Sequence, residues 1–211
     1  EAEVADRTPR DSFYHCLKNS AHQFHNKQEE DHYILAGYPW FKCRARDMFV
    51  SLPGLTLAVD EIGEFEDVME TARKAINNYI KGEPIGCKIY EMDDPDVLLW
   101  AVWALQQYAK ETSREQCRAK YGSLLEEIID FIRQRKHDNL FLHENGLLYA
   151  NGADRAITWM NSTVNGRPVI PRTGYIVEIN ALWYNALRFI ADLVREGGNG
   201  CLLYTSPSPR D

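Results

Sequence analysis

The chain has 211 residues, of which 45% are hydrophobic and 26% are charged, a composition typical of a globular domain with one substantial core. Its formal net charge of −7 argues against a nucleic-acid partner, because proteins that bind phosphate backbones concentrate lysine and arginine on one face. It has no apolar run long enough to span a bilayer and no apolar signal core, so we expect no membrane partner and a cytoplasmic location.

Taken in chain order, the predicted elements are mainly helices, with apolar residues recurring at i, i+3 and i+4. The stripes run over Phe13–Phe24, Phe65–Ile80, Val97–Tyr108, Tyr121–Ile132 and Ile179–Val194. Gly82 predicts the end of the second helix, and Ser113 with Gln116 predicts the N-terminal cap of the fourth. The third stripe is apolar on nearly every face, which predicts a helix buried on most sides. Short extended segments are expected at Lys88–Tyr90 and Leu147–Tyr149.

The connections between the predicted helices alternate between long and short. Long loops are expected at Ala36–Asp47, Gly82–Pro95 and His137–Val177. Each of the first two is followed by a helix, a short turn and a second helix, and the third leads into the last predicted helix. Since short turns make consecutive helices antiparallel, every long loop should emerge at the same end of the assembly. This pattern predicts an all-α toroid of inner and outer helices, with its cleft at one rim.

Two of these loops carry most of the unusual chemistry. The run AGYPWFKCRARDMFVSLPGLTL occupies Ala36–Leu57, and TWMNSTVNGRPVIPRTGYIVEINALWYNAL occupies Thr158–Leu187. Both interleave aromatic rings with amide and charged side chains, a mixture that indicates a solvated cleft with aromatic walls rather than a core. Neutral polyhydroxylated ligands are held in such clefts.

At these two runs and at DVLLWAVWAL (Asp96–Leu105), the chain resembles the C-terminal amylo-α-1,6-glucosidase domain of glycogen debranching enzymes. Nearly all of the family's signatures occur here in order, over about Asp11–Gly197. The resemblance implies a partial (α/α)₆ barrel that hydrolyses the α-1,6-linked glucose stub of glycogen or a similar branched α-glucan. It also implies inversion of configuration and a reaction without a metal or other cofactor.

The resemblance assigns Arg46 and Asp47 to the bottom of the sugar site, where a carboxylate would accept sugar hydroxyls and the adjacent guanidinium would keep it ionised. A solvated Arg-Asp pair at a helix start is the structural alternative. Trp40 and Trp159 are flanked by polar loop residues and are expected to stack on pyranose rings. The tryptophans within the apolar helix, Trp100 and Trp103, are expected in the core.

Three further residues complete the expected substrate contacts and catalytic candidates. Asp96 matches a family position, although capping of its own helix would equally explain it. Arg172 is expected to donate to a hydroxyl or to orient a carboxylate, and Glu178 is expected to act as an acceptor at the start of the last helix. An ion pair between these two residues, fixing the loop, is compatible with both roles. The six histidines suggest no metal site, because no third convergent acid is evident.

Asn161 stands where the family has the aspartic acid that protonates the leaving oxygen. An amide has no ionisable proton near pH 7, so Asn161 cannot be an ordinary general acid. Another carboxyl group, with Glu178 or Asp96 as the nearest candidates, would then supply the proton. The alternatives are a non-catalytic α-glucan-binding module, or another α/α-barrel glucosidase of the glucoamylase or trehalase type.

The two ends of the chain differ from the rest. The chain begins without methionine at EAEVADRTPR, so we expect a truncated fragment of a longer protein that is inactive alone. Residues 199–211, NGCLLYTSPSPRD from Asn199, lack helical periodicity and resemble a non-native tail. The expected domain therefore comprises residues 1–198.

Overall fold

The computed structural model describes residues 9–38 and 40–196, and within this part the chain is dominated by helices. The helices are α1 (Phe13–His22), α2 (Ala45–Leu55), α3 (Ile62–Lys81), α4 (Val97–Glu111), α5 (Arg114–Arg133) and α6 (Val177–Glu196). The strands are β1 (His25–Gln28), β2 (Asp31–Ile34), β3 (Cys43–Arg44), β4 (Ile89–Tyr90), β5 (Leu140–Leu142), β6 (Leu148–Ala150), β7 (Thr163–Val164) and β8 (Arg167–Pro168). The prediction of an all-α fold is confirmed. The tail expected from Asn199 lies outside the described residues.

The helices form two layers around one core. In the first layer, α4 contacts α2 on one side and α6 on the other. In the second layer, α3 contacts α5, and α5 also packs on α4 and α6. As predicted from its apolar sequence, α4 has nine buried residues, including Val97, Leu105 and Tyr108. None of the described helices combines the length and apolar character that crossing a bilayer requires.

Local sequence signals set several helix boundaries. The Ser113 hydroxyl accepts a hydrogen bond from the Gln116 amide at 3.1 Å, which confirms the predicted cap of α5. Gly82 adopts a left-handed conformation (φ +73°) at the end of α3, where a side chain would be strained. The apolar stripe of α1 is less buried than its periodicity predicts: Phe13 is 80% exposed and Leu17 is 51% exposed. The main contacts of α1 are with α2, and they leave these two side chains uncovered. Burial in α1 is confined to Asn19 and Ala21.

The long connections between helices meet at one end of the layers, as the alternation of loop lengths predicted. Strand β3, just before α2, pairs in parallel with β4, which lies in the connection before α4. In the connection between α5 and α6, Ile157 contacts Arg46 at the start of α2, and Arg155 contacts Asp94 just before α4. The predicted extended segments are present as β4 and β6. The starts of α2 and α4 and the long final connection are therefore adjacent.

Candidate active site

Arg46 lies in the first turn of α2, not in the preceding loop as expected, because β3 ends at Arg44 and the helix begins at once. Its guanidinium donates to both Asp96 carboxylate oxygens, at 2.8 and 2.9 Å, and to Asp94 at 2.6 Å. It also donates to the Ile157 carbonyl at 3.2 Å. Arg46 is only 8% exposed. One buried side chain at the start of α2 thus joins the connection before α4 to the connection between α5 and α6.

The Arg46 cluster is held by charge in a dry environment. Burial acts to lower the pKa of Arg46, but the neighbouring Asp96 and Asp94 carboxylates outweigh it and raise that pKa above its ordinary value. Burial raises the pKa of Asp94 to about 6, against the opposing effect of the Arg46 charge. Arg155 pairs with Asp94 at 3.3 Å and with Asp93. The cluster is therefore an ionic network in which Arg46 stays charged.

Asp96 occupies the N-cap position of α4 but does not cap the helix with its side chain. The capping alternative is therefore wrong, because both carboxylate oxygens accept from Arg46 and one also accepts from the Trp100 indole at 3.2 Å. Asp96 is 2% exposed. Its visible role is to fix the orientation of Arg46.

Asp47 follows Arg46 in the sequence, but the Asp47 side chain faces solvent whereas the Arg46 side chain is buried. Successive residues of a helix are rotated by about 100°, so Arg46 points inward while Asp47 is exposed. The expectation that Arg46 keeps Asp47 ionised is wrong, because the guanidinium pairs with Asp94 and Asp96 instead. The Asp47 carboxylate makes no hydrogen bond or ion pair within the described residues. Its oxygens are available to accept from a ligand.

A second cluster forms at the start of α6. Glu178 accepts from Arg172 in an ion pair, and its same oxygen accepts from the Trp159 indole N–H at 3.2 Å. Arg172 also contacts the Met160 sulfur. The expected role of Arg172 as an orienter of a carboxylate is consistent with this geometry. Trp159 is 60% exposed, so one aromatic surface remains open beside the Glu178 carboxylate.

One short segment connects the two clusters. Ile157 and Thr158 are buried, and the Ile157 carbonyl accepts from Arg46. The next three residues, Trp159, Met160 and Asn161, are exposed or half-buried. Within five residues the chain thus passes from the buried network to the Glu178 cluster, so Arg46 anchors the position from which Trp159 projects.

Asn161 lines an open cavity of about 360 Å³, within the size range of small-molecule sites. The cavity brings the Asn161 amide together with carboxylates from two other parts of the chain. Its lining comprises Arg44, Glu91, Asp94, Asp154, Arg155, Ala156, Asn161, Thr163 and Gly166. Polar and charged groups outnumber apolar ones, which suits a hydroxylated ligand.

The other tryptophans singled out in the sequence differ in exposure, with Trp40 in solvent and Trp100 and Trp103 against the core. Trp40 is 83% exposed in the turn before β3 and makes no ring contact with another described aromatic residue. Trp100 and Trp103 are partly buried against the core and contact each other edge to face, with centroids 5.4 Å apart. The expectation that these two belong to the core is confirmed. The structure gives Trp40 and Asp47 exposure but no direct contact with the Glu178 cluster.

Sequence reasoning missed Asp94 and Arg155, which belong to the buried network. The available signal was the acidic run DDPD at residues 93–96, of which only the last member was singled out. Arg155 has no local signal, because it meets Asp93 across 62 residues of sequence. The Ile157 carbonyl is a backbone group, and no side-chain pattern could identify it.

The site therefore combines a buried arginine-carboxylate network, an exposed tryptophan beside a glutamate and an amide-lined polar cavity. Comparison with curated proteins and with solved structures gave no match. A comparison with protein families gave the model described as amylo-alpha-1,6-glucosidase, which matches residues 18–200 and so includes every element from α2 to α6. The chain therefore belongs to the amylo-alpha-1,6-glucosidase family of glycoside hydrolase domains.

Proposed function

We propose that this chain is a glycoside hydrolase domain that removes α-1,6-linked glucose from branched α-glucan, with inversion of configuration, as part of an (α/α)₆ barrel. The observation that carries the proposal is the exposed Trp159 ring beside Glu178, on a segment anchored by Arg46. A flat aromatic face next to a carboxylate provides the two contacts that a glucosyl unit uses, one for its C–H surface and one for its hydroxyls. The family membership supports the same reaction class.

In this proposal the exposed side chains contact the substrate, and the buried side chains hold the exposed ones in position. Asp47 accepts sugar hydroxyls, while Trp40 and Trp159 provide stacking surfaces. Arg46 and Asp96 act as positioning residues, because both are buried and satisfied by each other. Arg172 orients the Glu178 carboxylate and supplies further donors at the rim of the site.

An inverting reaction requires one carboxylic acid and one carboxylate, about 6.5–9.5 Å apart. Asn161 cannot donate a proton, and we assign it the orientation of the glycosidic oxygen. Asp96 is not available to a substrate, because both of its carboxylate oxygens accept from the buried Arg46 guanidinium. We assign the activation of water to Glu178, which lies beside the exposed Trp159 ring. Asp94 lines the Asn161 cavity, and although it pairs with Arg46 and Arg155, burial raises its pKa to about 6, so we assign it the role of proton donor.

The decisive experiment is glucose release from a phosphorylase limit dextrin, measured for this chain and for any longer product that its source gene encodes. Proton NMR of the first-formed glucose distinguishes inversion, which yields the β-anomer, from retention. Linear maltooligosaccharides and trehalose serve as comparison substrates. Preferential cleavage of either would contradict the α-1,6 assignment and favour a glucoamylase-type or trehalase-type enzyme.

A non-catalytic α-glucan-binding module is the second candidate, favoured by the exposed amide of Asn161 at the position of the family's acid. Affinity electrophoresis in glycogen-containing gels tests binding independently of turnover. Retarded migration of the protein without any glucose release would establish this second function and refute hydrolysis.

A further inference from the structure

Two histidines and two carboxylates converge outside the proposed active site, where the β1–β2 hairpin meets α3. The His32 Nδ1 atom lies 3.7 Å from a Glu64 oxygen and 3.8 Å from an Asp67 oxygen. The His25 Nδ1 atom lies 3.6 Å from the same Glu64 oxygen. The three ligand atoms of His32, Glu64 and Asp67 all lie within 4.8 Å of one another.

The local structure explains this convergence. In the antiparallel hairpin, His25 is opposite Ile34 and Lys27 is opposite His32, so His25 and His32 project from the same face. On α3, Glu64 and Asp67 are three residues apart and share one helical face. Because β2 packs on α3, the two faces are opposed. Neither pair is adjacent to the other in sequence, yet the fold brings all four groups together.

The separations are those of metal ligands rather than of hydrogen-bonded pairs. Hydrogen bonds between nitrogen and oxygen measure about 2.7–3.2 Å, which is shorter than all three contacts. Ligands of tetrahedral zinc, at about 2.0–2.2 Å from the ion, lie roughly 3.4 Å from each other. The ligand atoms of His32, Glu64 and Asp67 lie within 4.8 Å of one another, and His25, which faces Glu64, would have to move to complete a four-ligand set.

The state of His25 provides an independent indication. Its Nε2 atom lies 3.2 Å from the Leu55 carbonyl oxygen, which can only accept, so this nitrogen carries the proton. In the neutral ring the lone pair is therefore on Nδ1, the atom that faces Glu64. A histidine that donates its second N–H to a backbone carbonyl is the usual arrangement around a bound metal.

Unlike the nearby Glu61, the Glu64 and Asp67 carboxylates have no lysine or arginine partner among the described residues. Glu61, at the same end of α3, pairs with Lys18 at 2.8 Å and with His22 at 3.0 Å. A cavity of about 240 Å³ opens over His25, His32 and Glu64, which gives an ion a path of entry. The two carboxylates, which face neutral or protonatable histidines, supply the charge that would balance one divalent cation.

We propose that His32, Glu64 and Asp67, with His25 as the fourth ligand, bind one Zn²⁺ ion that ties the β1–β2 hairpin to α3. The site contributes stability rather than catalysis, because it joins two structural elements and shares no residue with the proposed active site. This inference goes against the expectation of no metal site, because the hairpin register brings His25 and His32 to one face opposite two carboxylates.

The test uses Co²⁺ as a spectroscopic probe and Zn²⁺ as its competitor, with the chain in a Cys16→Ser background that removes an exposed thiol. We expect one equivalent of Co²⁺ to give visible d–d absorption, displaced by Zn²⁺. We also expect Zn²⁺ to raise the Tm and EDTA to reverse the rise. His32→Gln should weaken Zn²⁺ binding by at least about tenfold and abolish the Tm shift.

Matched controls separate ligand loss from general damage. Glu64→Gln should behave as His32→Gln does, whereas Glu70→Gln on the same helix and His143→Gln in the final connection should bind normally. Circular dichroism without metal shows whether each variant is folded. The proposal is overturned if the parent chain gives no Co²⁺ absorption, or if Zn²⁺ raises the Tm of both ligand variants as much as that of the parent.

Discussion

Arg46 donates one hydrogen bond to each carboxylate oxygen of Asp96, 50 residues further along the chain, and so joins the start of α2 to the start of α4. Replacing Arg46 with Met leaves Asp96 buried without a counter-charge and leaves Asp94 with Arg155 as its remaining cationic partner. We expect a loss of about 3–5 kcal/mol in the free energy of unfolding, measured by urea denaturation. Removal of one partner from a buried pair is costly because the other charge remains in a dry environment.

Arg44, two residues earlier, is the matched control. It pairs with Glu91 at 2.8 Å, but both side chains are about one-third exposed. Arg44→Met should therefore cost less than about 1 kcal/mol. Equal losses for the two variants would show that burial does not determine the contribution of Arg46.

Gly152 allows two parts of the active site to approach closely. A Cβ atom at this position would lie 2.5 Å from the Arg172 carbonyl oxygen and 2.7 Å from an Ile157 side-chain carbon. Gly152→Ala should destabilise the fold by about 1–3 kcal/mol and reduce activity, because it displaces the Arg172 backbone and the Ile157 side chain. Gly54→Ala, which meets no atom within 4 Å in α2, should be neutral or slightly stabilising. Thermal denaturation of both variants checks this, and an unchanged Tm for Gly152→Ala would contradict it.

Trp159 and Trp183 provide a contrast between binding and stability. Trp159 is 60% exposed, so Trp159→Ala should weaken binding to glycogen by about 1 kcal/mol or more with little change in Tm. Trp183 is 4% exposed, and Trp183→Ala should cost about 3–5 kcal/mol in stability. Affinity electrophoresis and calorimetry measure the two effects. Unaltered glycogen affinity in Trp159→Ala would remove this ring from the site.

Asp47 is exposed beside the buried network and has both oxygens available for sugar hydroxyls. Asp47→Asn should lower kcat/KM by an amount equivalent to several kcal/mol, on the order of losing a charge-assisted contact in the transition state. Asp130→Asn, an exposed carboxylate on α5, is the control and should be silent. Steady-state kinetics on limit dextrin give the result, and a kcat/KM equal to that of the unmodified protein would exclude Asp47.

His137 should make stability depend on pH. Burial lowers its pKa to about 4, whereas an unfolded histidine titrates near 6.5. Between these values the unfolded state binds more protons, so stability is greatest above about pH 6.5 and falls as the pH drops towards 4. The loss should reach about 3 kcal/mol. Its Nδ1 atom accepts from the Asn139 amide at 3.1 Å, so the neutral ring is the form that the fold requires.

His137→Gln keeps a hydrogen-bond acceptor but does not ionise in this range. Denaturant titrations at several pH values should therefore show a flatter pH profile for the variant. Parallel profiles for the two proteins would indicate that other groups cause the acid sensitivity.

Much of the helical framework could be predicted because its signals are local. Ser113 and Gly82 set helix ends through their own backbone geometry, and the apolar sequence of α4 required burial. The meeting of the long connections followed from the alternation of long and short loops. The inward face of α1 could not be predicted in this way, because periodicity shows that an apolar stripe exists but not whether a partner covers it.

The details of the site depended on long-range pairing, which a single sequence does not encode visibly. The run DDPD offers three carboxylates, and nothing local shows that Arg46 takes the second and third of them. The same limit applies to His25 and His32, which share a face only once the hairpin register is fixed.

The enclosure of α4 has a consequence for synthesis of the protein. This helix is almost entirely apolar, yet one of its covering partners, α6, begins only at Val177. At typical rates of translation, α4 therefore emerges from the ribosome on the order of ten seconds before α6 is available to cover it. We expect a ribosome-associated chaperone to hold the nascent chain at α4 during this interval.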